Sequence, residues 1–106
     1  MIGATMFWQR MRLEVTGHAN YAEAGKDIVC AGASALVYAL GQTLEEAEAR
    51  GRCECKCKDR GGIITIWANP TMGSVSEIKA YFRMCITGLR MLEEQHTGFV
   101  SVKEVQ

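Results

Sequence analysis

Two side chains in this sequence have the type and the setting for nucleophilic chemistry: the thiol of Cys30 and the imidazole of His18, twelve residues upstream. Asp27 is well placed as a helix N-cap, because its carboxylate can accept hydrogen bonds from the free backbone N–H groups of the turn that follows. Cys30, three residues on, then falls in the first helical turn, where unpaired N–H groups and the helix dipole favour an anion. A thiolate beside a histidine at such a position is the reactive form of cysteine near neutral pH. The imidazole can take the thiol proton, the thiolate can attack a peptide carbonyl, and the imidazolium can protonate the leaving amine. Backbone N–H groups at the same helix end are candidates for an oxyanion hole. Asp27 could also orient His18, and Ser34, one turn past Cys30, could line a substrate groove or bond back to a helix carbonyl. The competing reading is plain: free cysteine is among the residue types most often buried, and a cysteine and a histidine in one chain can be unrelated.

The elements that must position this pair are legible in outline. Met11, Leu13 and Val15 alternate with Arg12, Glu14 and Thr16 in the two-residue period of a half-buried strand, which should end at Gly17. GHANYAEAGK, residues 17–26, has no sustained period and reads as a loop between two glycines. A helix should follow from Asp27 through IVCAGASALVYALGQTLEEAEAR, apolar on nearly all sides in its first half and polar at its end. Gly32 and Gly41 inside it each weaken a helix by about 1 kcal/mol relative to alanine, so close packing or a bend is expected there. CECKCK, DRGG and GIITIWA read as a β-hairpin. The stretch SEIKAYFRMCITGLRMLEEQH carries apolar residues at helical spacing, with Ser74 or Ser76 to cap it and Gly98 to end the exit turn before a last strand, FVSVKEV. The expected architecture is α+β: two helices packed on one face of a small mixed or antiparallel sheet, in a single domain spanning residues 1–106.

The stretch GHANYAEAGKDIVCAGAS, Gly17 to Ser34, resembles the signature of the Prp family of ribosomal-processing cysteine proteases, which pairs a GHA loop with a D-I-V-C-A-x-x-S helix start. The resemblance implies an α+β homodimer that removes an N-terminal extension from a large-subunit ribosomal protein. Phage-encoded relatives are thought to process structural proteins. By position, Cys30 matches the family nucleophile and His18 its base. Asp27 and Ser34 match motif positions near the active site, and Gly17 matches the hinge of a mobile loop.

The remaining signals have ordinary readings. Cys53, Cys55 and Cys57 lack the paired C-x-x-C spacing of zinc sites, and same-face residues two apart on a strand are roughly 6.5 to 7 Å apart, so they read as a row of buried thiols rather than ligands. Cys85 reads as core, His96 as a helix-end residue and reserve base, and Glu45, Glu46 and Glu48 as a solvated helix face. No cofactor or metal is implied. The twelve basic and twelve acidic side chains balance, with no basic run, so direct nucleic-acid binding is not expected. No signal peptide is seen and no eighteen apolar residues run together, so a cytoplasmic protein without membrane contact is expected. Other functions compatible with these residues are a peptide-binding module without catalysis, thiol redox chemistry with a resolving cysteine from CECKCK or Cys85, and a cysteine-dependent amidase or acyltransferase.

Overall fold

The computed structural model describes residues 1–17 and 26–106; residues 18–25, His18 among them, and the side chains of residues 26 and 27 lie outside the described residues. The described chain runs β1 (Ile2–Phe7), β2 (Arg12–Thr16), α1 (Lys26–Ala49), β3 (Cys53–Arg60), β4 (Ile63–Pro70), α2 (Val75–Gln95) and β5 (Val100–Val105). The five strands form one sheet in the order β3-β4-β2-β1-β5. Neighbours pair antiparallel except β1 and β5, which run parallel with Ile2 opposite Val100 and Phe7 opposite Val105. The α+β class and the mixed sheet expected from the sequence are both present, and the helices form one layer on one side of it.

The two-residue period decides which side. Ile2, Ala4, Met6, Leu13, Val15, Ile64, Ile66, Ala68, Val100 and Val102 all point into the core, while their neighbours in sequence face outward. Against them α1 lays Val29, Ala33, Val37, Leu40, Leu44 and Ala47, and α2 lays Ile78, Phe82, Cys85, Ile86 and Leu89. By length and composition Ile28–Ala49 is apolar enough to cross a bilayer, with mean hydropathy 1.3 over its best window, so this helix departs from the expectation of no span-like segment. Its buried face accounts for much of that character, since it fills the core between sheet and α2.

The turns follow the glycines. Gly61 and Gly62, with φ of 57° and 83°, close the β3–β4 hairpin as a two-residue loop, because both central positions of such a turn need positive φ. Ser74 stands at the start of α2 as expected, but its hydroxyl is engaged by Thr71, 3.0 Å away, and makes no side-chain cap. The predicted N-cap of α1 also shifts: the helix includes Lys26, so Asp27 is inside its first turn rather than ahead of it, as helix ends read from sequence commonly slip by a residue or two.

Where the helices cross, glycine sets the distance. A Cβ added at Gly88 would lie 2.6 and 2.7 Å from the two methyls of Leu36, and one at Gly32 would touch Leu92 at 3.4 Å. The expected close packing at Gly32 is therefore real, and Gly41 likewise abuts Cys57 Sγ, 3.4 Å from an added Cβ. At the other end of the layer, Glu104 on β5 accepts hydrogen bonds from Trp8 Nε1 at 2.8 Å and from Arg90 Nη2 at 2.6 Å, and pairs with Arg83 at 3.0 Å. One carboxylate thereby ties the last strand to β1 and α2. The Arg90 hydrogen bonds, then those of Trp8 and Arg83, pull its pKa down to about 2.

Two consequences can be measured. Because the folded pKa of Glu104 is depressed, its contribution is complete above the ordinary carboxylate value near 4.5 and is lost as pH falls toward about 2. Glu104→Gln should cost about 1–2 kcal/mol at pH 7 and flatten the acid limb of stability between those values, read by urea unfolding across pH. Gly17 has φ of 75°, and a Cβ there would overlap the Met1 carbonyl oxygen. Gly17→Ala should therefore lower stability by about 1–3 kcal/mol, a shift in the urea midpoint that a glycine in open space would not produce.

Candidate active site

The sequence places Cys30 on the helix that follows the 17–26 segment, and the structure shows how the surrounding elements fix its height. β2 ends at Thr16, and Gly17 follows with a positive φ, a conformation and a proximity to Met1 that only glycine tolerates. α1 begins at Lys26, nine residues on, and Cys30 is its fifth residue, just past the first turn in which the sequence reading placed it. The helix is thus still at its N-terminal end, where the first N–H groups have no partner within the helix and carry the positive pole of the dipole.

The first turns of α1 divide sharply between core and solvent. Val29 is 1% exposed while Ile28 is 68% exposed, and Cys30 sits on the boundary, half-buried. It packs on the rim of the core, as do Leu92 and Phe99. α1 and α2 run antiparallel: Gly32 meets Leu92 and, one turn on, Leu36 meets Gly88. Cys30 therefore lies level with the last turn of α2, at the end of the molecule where β2 stops and β5 begins. His96 ends α2 at this same end, its backbone N–H donating to the Leu92 carbonyl at 2.9 Å. That contact places His96 at the end of α2 and involves its backbone, not its imidazole. Ser34 is half-buried one turn along α1 from Cys30, and Gly17 stands where the chain leaves β2. His18, the expected base, and the Asp27 side chain lie outside the described residues.

The other four thiols are in settings that suppress reactivity. Cys85 is buried, its Sγ 3.7 Å from the Leu36 carbonyl, and burial pushes its pKa up to about 12. Burial, then Glu48 and the neighbouring thiols, raises Cys55 to about 11, and Cys53 is also raised by burial and by Glu48. The expectation that CECKCK is a row of buried thiols holds for Cys53 alone: Cys55 is half-buried and Cys57 is exposed. β3 is an edge strand, and its inner side moves out from under α1 as it runs toward the hairpin turn, so cover fades residue by residue. Cys57 still has its pKa raised, by partial desolvation and by Glu45. Among the described residues no group of three histidine, cysteine, aspartate or glutamate side chains is arranged to hold a metal ion. Glu45, Glu46 and Glu48 form the exposed helix face expected, with one addition: Glu48 accepts the Cys55 backbone N–H at 2.9 Å, satisfying a donor on the edge strand.

Leu92 and Phe99, the apolar neighbours at this end, were not read as site residues from the sequence. Their spacing marks them only as apolar positions of a helix and a strand entry; what brings Leu92 to the Cys30 end of α1, against Gly32, is the antiparallel helix register, which no local pattern encodes.

Residues 1–101 match the family model of cysteine protease Prp. A stretch of 28 residues is 57% identical to the ribosomal processing cysteine protease Prp of Bacillus subtilis; the match spans 26% of this chain and 25% of that protein. In fold the chain is similar to the essential ribosomal processing protease Prp of S. aureus, solved in complex with a substrate peptide, with TM-score 0.76, 19% identity, and 98% and 99% of the two chains covered. It is similar also to the protein SMU.848 of Streptococcus mutans, with TM-score 0.72, 27% identity, and 99% and 94% covered. With a half-buried thiol near the N-terminal end of α1 and a family match that runs through nearly the whole sequence, the chain belongs to the Prp family of cysteine proteases.

Proposed function

We propose that this chain hydrolyses peptide bonds with Cys30 as nucleophile and His18 as the base that activates it. His18 takes the Cys30 proton, the thiolate adds to the scissile carbonyl, and collapse of the tetrahedral adduct expels the amine with the proton returned by the imidazolium. Water, deprotonated by the same imidazole, then releases the acid and restores the thiol. The observation that supports this reading best is the position of Cys30: a half-buried thiol at the N-terminal end of a 24-residue helix, at the end of the molecule where β2 stops. The other four cysteines are each held toward the neutral thiol. Asp27 orients His18 or steadies the first turn of α1, Ser34 lines the substrate groove, and Gly17 serves as the hinge of the segment that follows it.

The substrate in this reading is the N-terminal extension of a large-subunit ribosomal protein, as the family resemblance implies and as the names of the Bacillus and staphylococcal relatives support. The chain acts as a single domain and a homodimer in the cytoplasm. A phage structural protein as substrate would use the same chemistry.

The test is incubation of the host's ribosomal protein, extension intact, with wild type, Cys30→Ala and His18→Ala proteins, followed by mass spectrometry. Wild type should make one cut, and each variant should lose at least about 10³-fold in rate. If wild type leaves the substrate whole while Cys30→Ala still binds it, the protein is a binding module and the catalytic reading fails.

A further inference from the structure

The side of the sheet away from the helices is covered by no element among the described residues. Its residues are those the two-residue period turns outward, and the strand registers bring them into rows that run across the sheet. One row is Val105, Phe7, Arg12, Trp67 and Lys56, each directly opposite the next. The Arg12 guanidinium lies 4.7 Å from the Phe7 ring centroid, and the Lys56 ammonium 5.9 Å from that of Trp67. The row alternates ring and cation across four strands.

The rows beside it carry hydroxyls and more cations. Lys103, Thr5, Glu14, Thr65 and Lys58 form one, and Ser101, Gly3, Thr16, Ile63 and Arg60 the next. At Gly3, which has no side chain, a polar depression of about 240 Å³ opens among Thr5, Glu14, Thr16, Ser101 and Lys103. Arg12, Lys56, Lys58, Arg60 and Lys103 face Glu14 and Glu54, five cations against two carboxylates, in a chain whose total charge is zero. Glu14 lies 3.2 Å from Arg12, yet the Arg12 Nε–H reaches no hydrogen-bond acceptor among the described residues.

We propose that this sheet face binds single-stranded RNA. Lys56, Lys58 and Arg60 stand on one side of edge strand β3 at about 6.5–7 Å intervals, close to the phosphate repeat of an extended strand. Phe7 and Trp67, with the Arg12 plane between them, offer stacking surfaces for unpaired bases on an open sheet, as RNA-reading sheets do. The hydroxyls around the Gly3 depression are suited to ribose 2′-OH groups. A protein partner fits less well, because the centres of protein interfaces are depleted in charge and every row here carries one. The balanced composition, which argued against nucleic acid, conceals a surplus that only the sheet register collects on one face.

The test is fluorescence anisotropy with labelled oligouridylate and oligothymidylate of about 12 nucleotides, at roughly 50 and 200 mM salt. RNA should bind more tightly than DNA, with a log–log salt slope of roughly −2 to −3. Trp67→Ala should weaken it about 10-fold, Trp67→Phe should restore most of the loss, and Lys58→Glu with Arg60→Glu should flatten the slope. Peptide cleavage should be unchanged in all three. The proposal is overturned if wild type binds neither oligonucleotide, if DNA binds as well as RNA, or if polyglutamate binds as tightly as either. It is also overturned if Trp67→Ala converts a dimer to a monomer in sedimentation while wild type ignores RNA, which would make the face an interface between copies.

Discussion

The close approach of α1 to α2 is the constraint on which the rest of this structure hangs. Leu36 seats itself where Gly88 has no side chain, and Gly32 meets Leu92, so the helices run antiparallel at a separation that larger residues would not permit. That register sets the height of everything on α1. It turns Val29, Ala33, Val37 and Leu40 into the core and leaves Cys30 at the core's rim. The N-terminal end of α1, which carries Cys30, is consequently anchored by packing.

Electrostatics sort the cysteines without any metal or disulfide. Four of the five thiols are held toward the neutral form, by burial alone at Cys85 and by burial together with glutamates at Cys53, Cys55 and Cys57. Glu45 and Glu48 belong to the polar tail of α1, the same helix whose opposite, N-terminal end carries Cys30, and Glu77 on α2 adds to the effect at Cys53. One helix thereby presents a positive dipole end to one thiol and a carboxylate cluster to three others. Far from both, Glu104 gathers Trp8, Arg83 and Arg90 and closes the parallel β1–β5 edge, where the chain's last strand would otherwise be held by one neighbour alone.

Local pattern was a good guide wherever one element decides the answer. The alternation at Met11, Leu13 and Val15, the apolar spacing of α2, the DRGG turn and the presence of a helix carrying Cys30 near its N-terminal end could all be read because period and turn chemistry act within a few residues. What escaped was set by register between distant elements. The parallel pairing of β5 with β1, the exposure of Cys57 on an edge strand, and the row from Val105 to Lys56 all arise from pairings that local spacing does not specify. The apolar length of α1 is ambiguous for the same reason, since only its partners distinguish a core helix from a membrane span.

The most direct test of the central claim, that Cys30 is the attacking atom and His18 its base, is to trap the covalent intermediate. An activated ester of a substrate peptide would be mixed with enzyme, quenched in acid, digested and mapped by mass spectrometry. The peptide acyl group should be found on Cys30, should be absent from Cys30→Ala, and should accumulate far more slowly in His18→Ala. Acylation of the exposed Cys57 in place of Cys30, or equal accumulation with and without His18, would contradict the account.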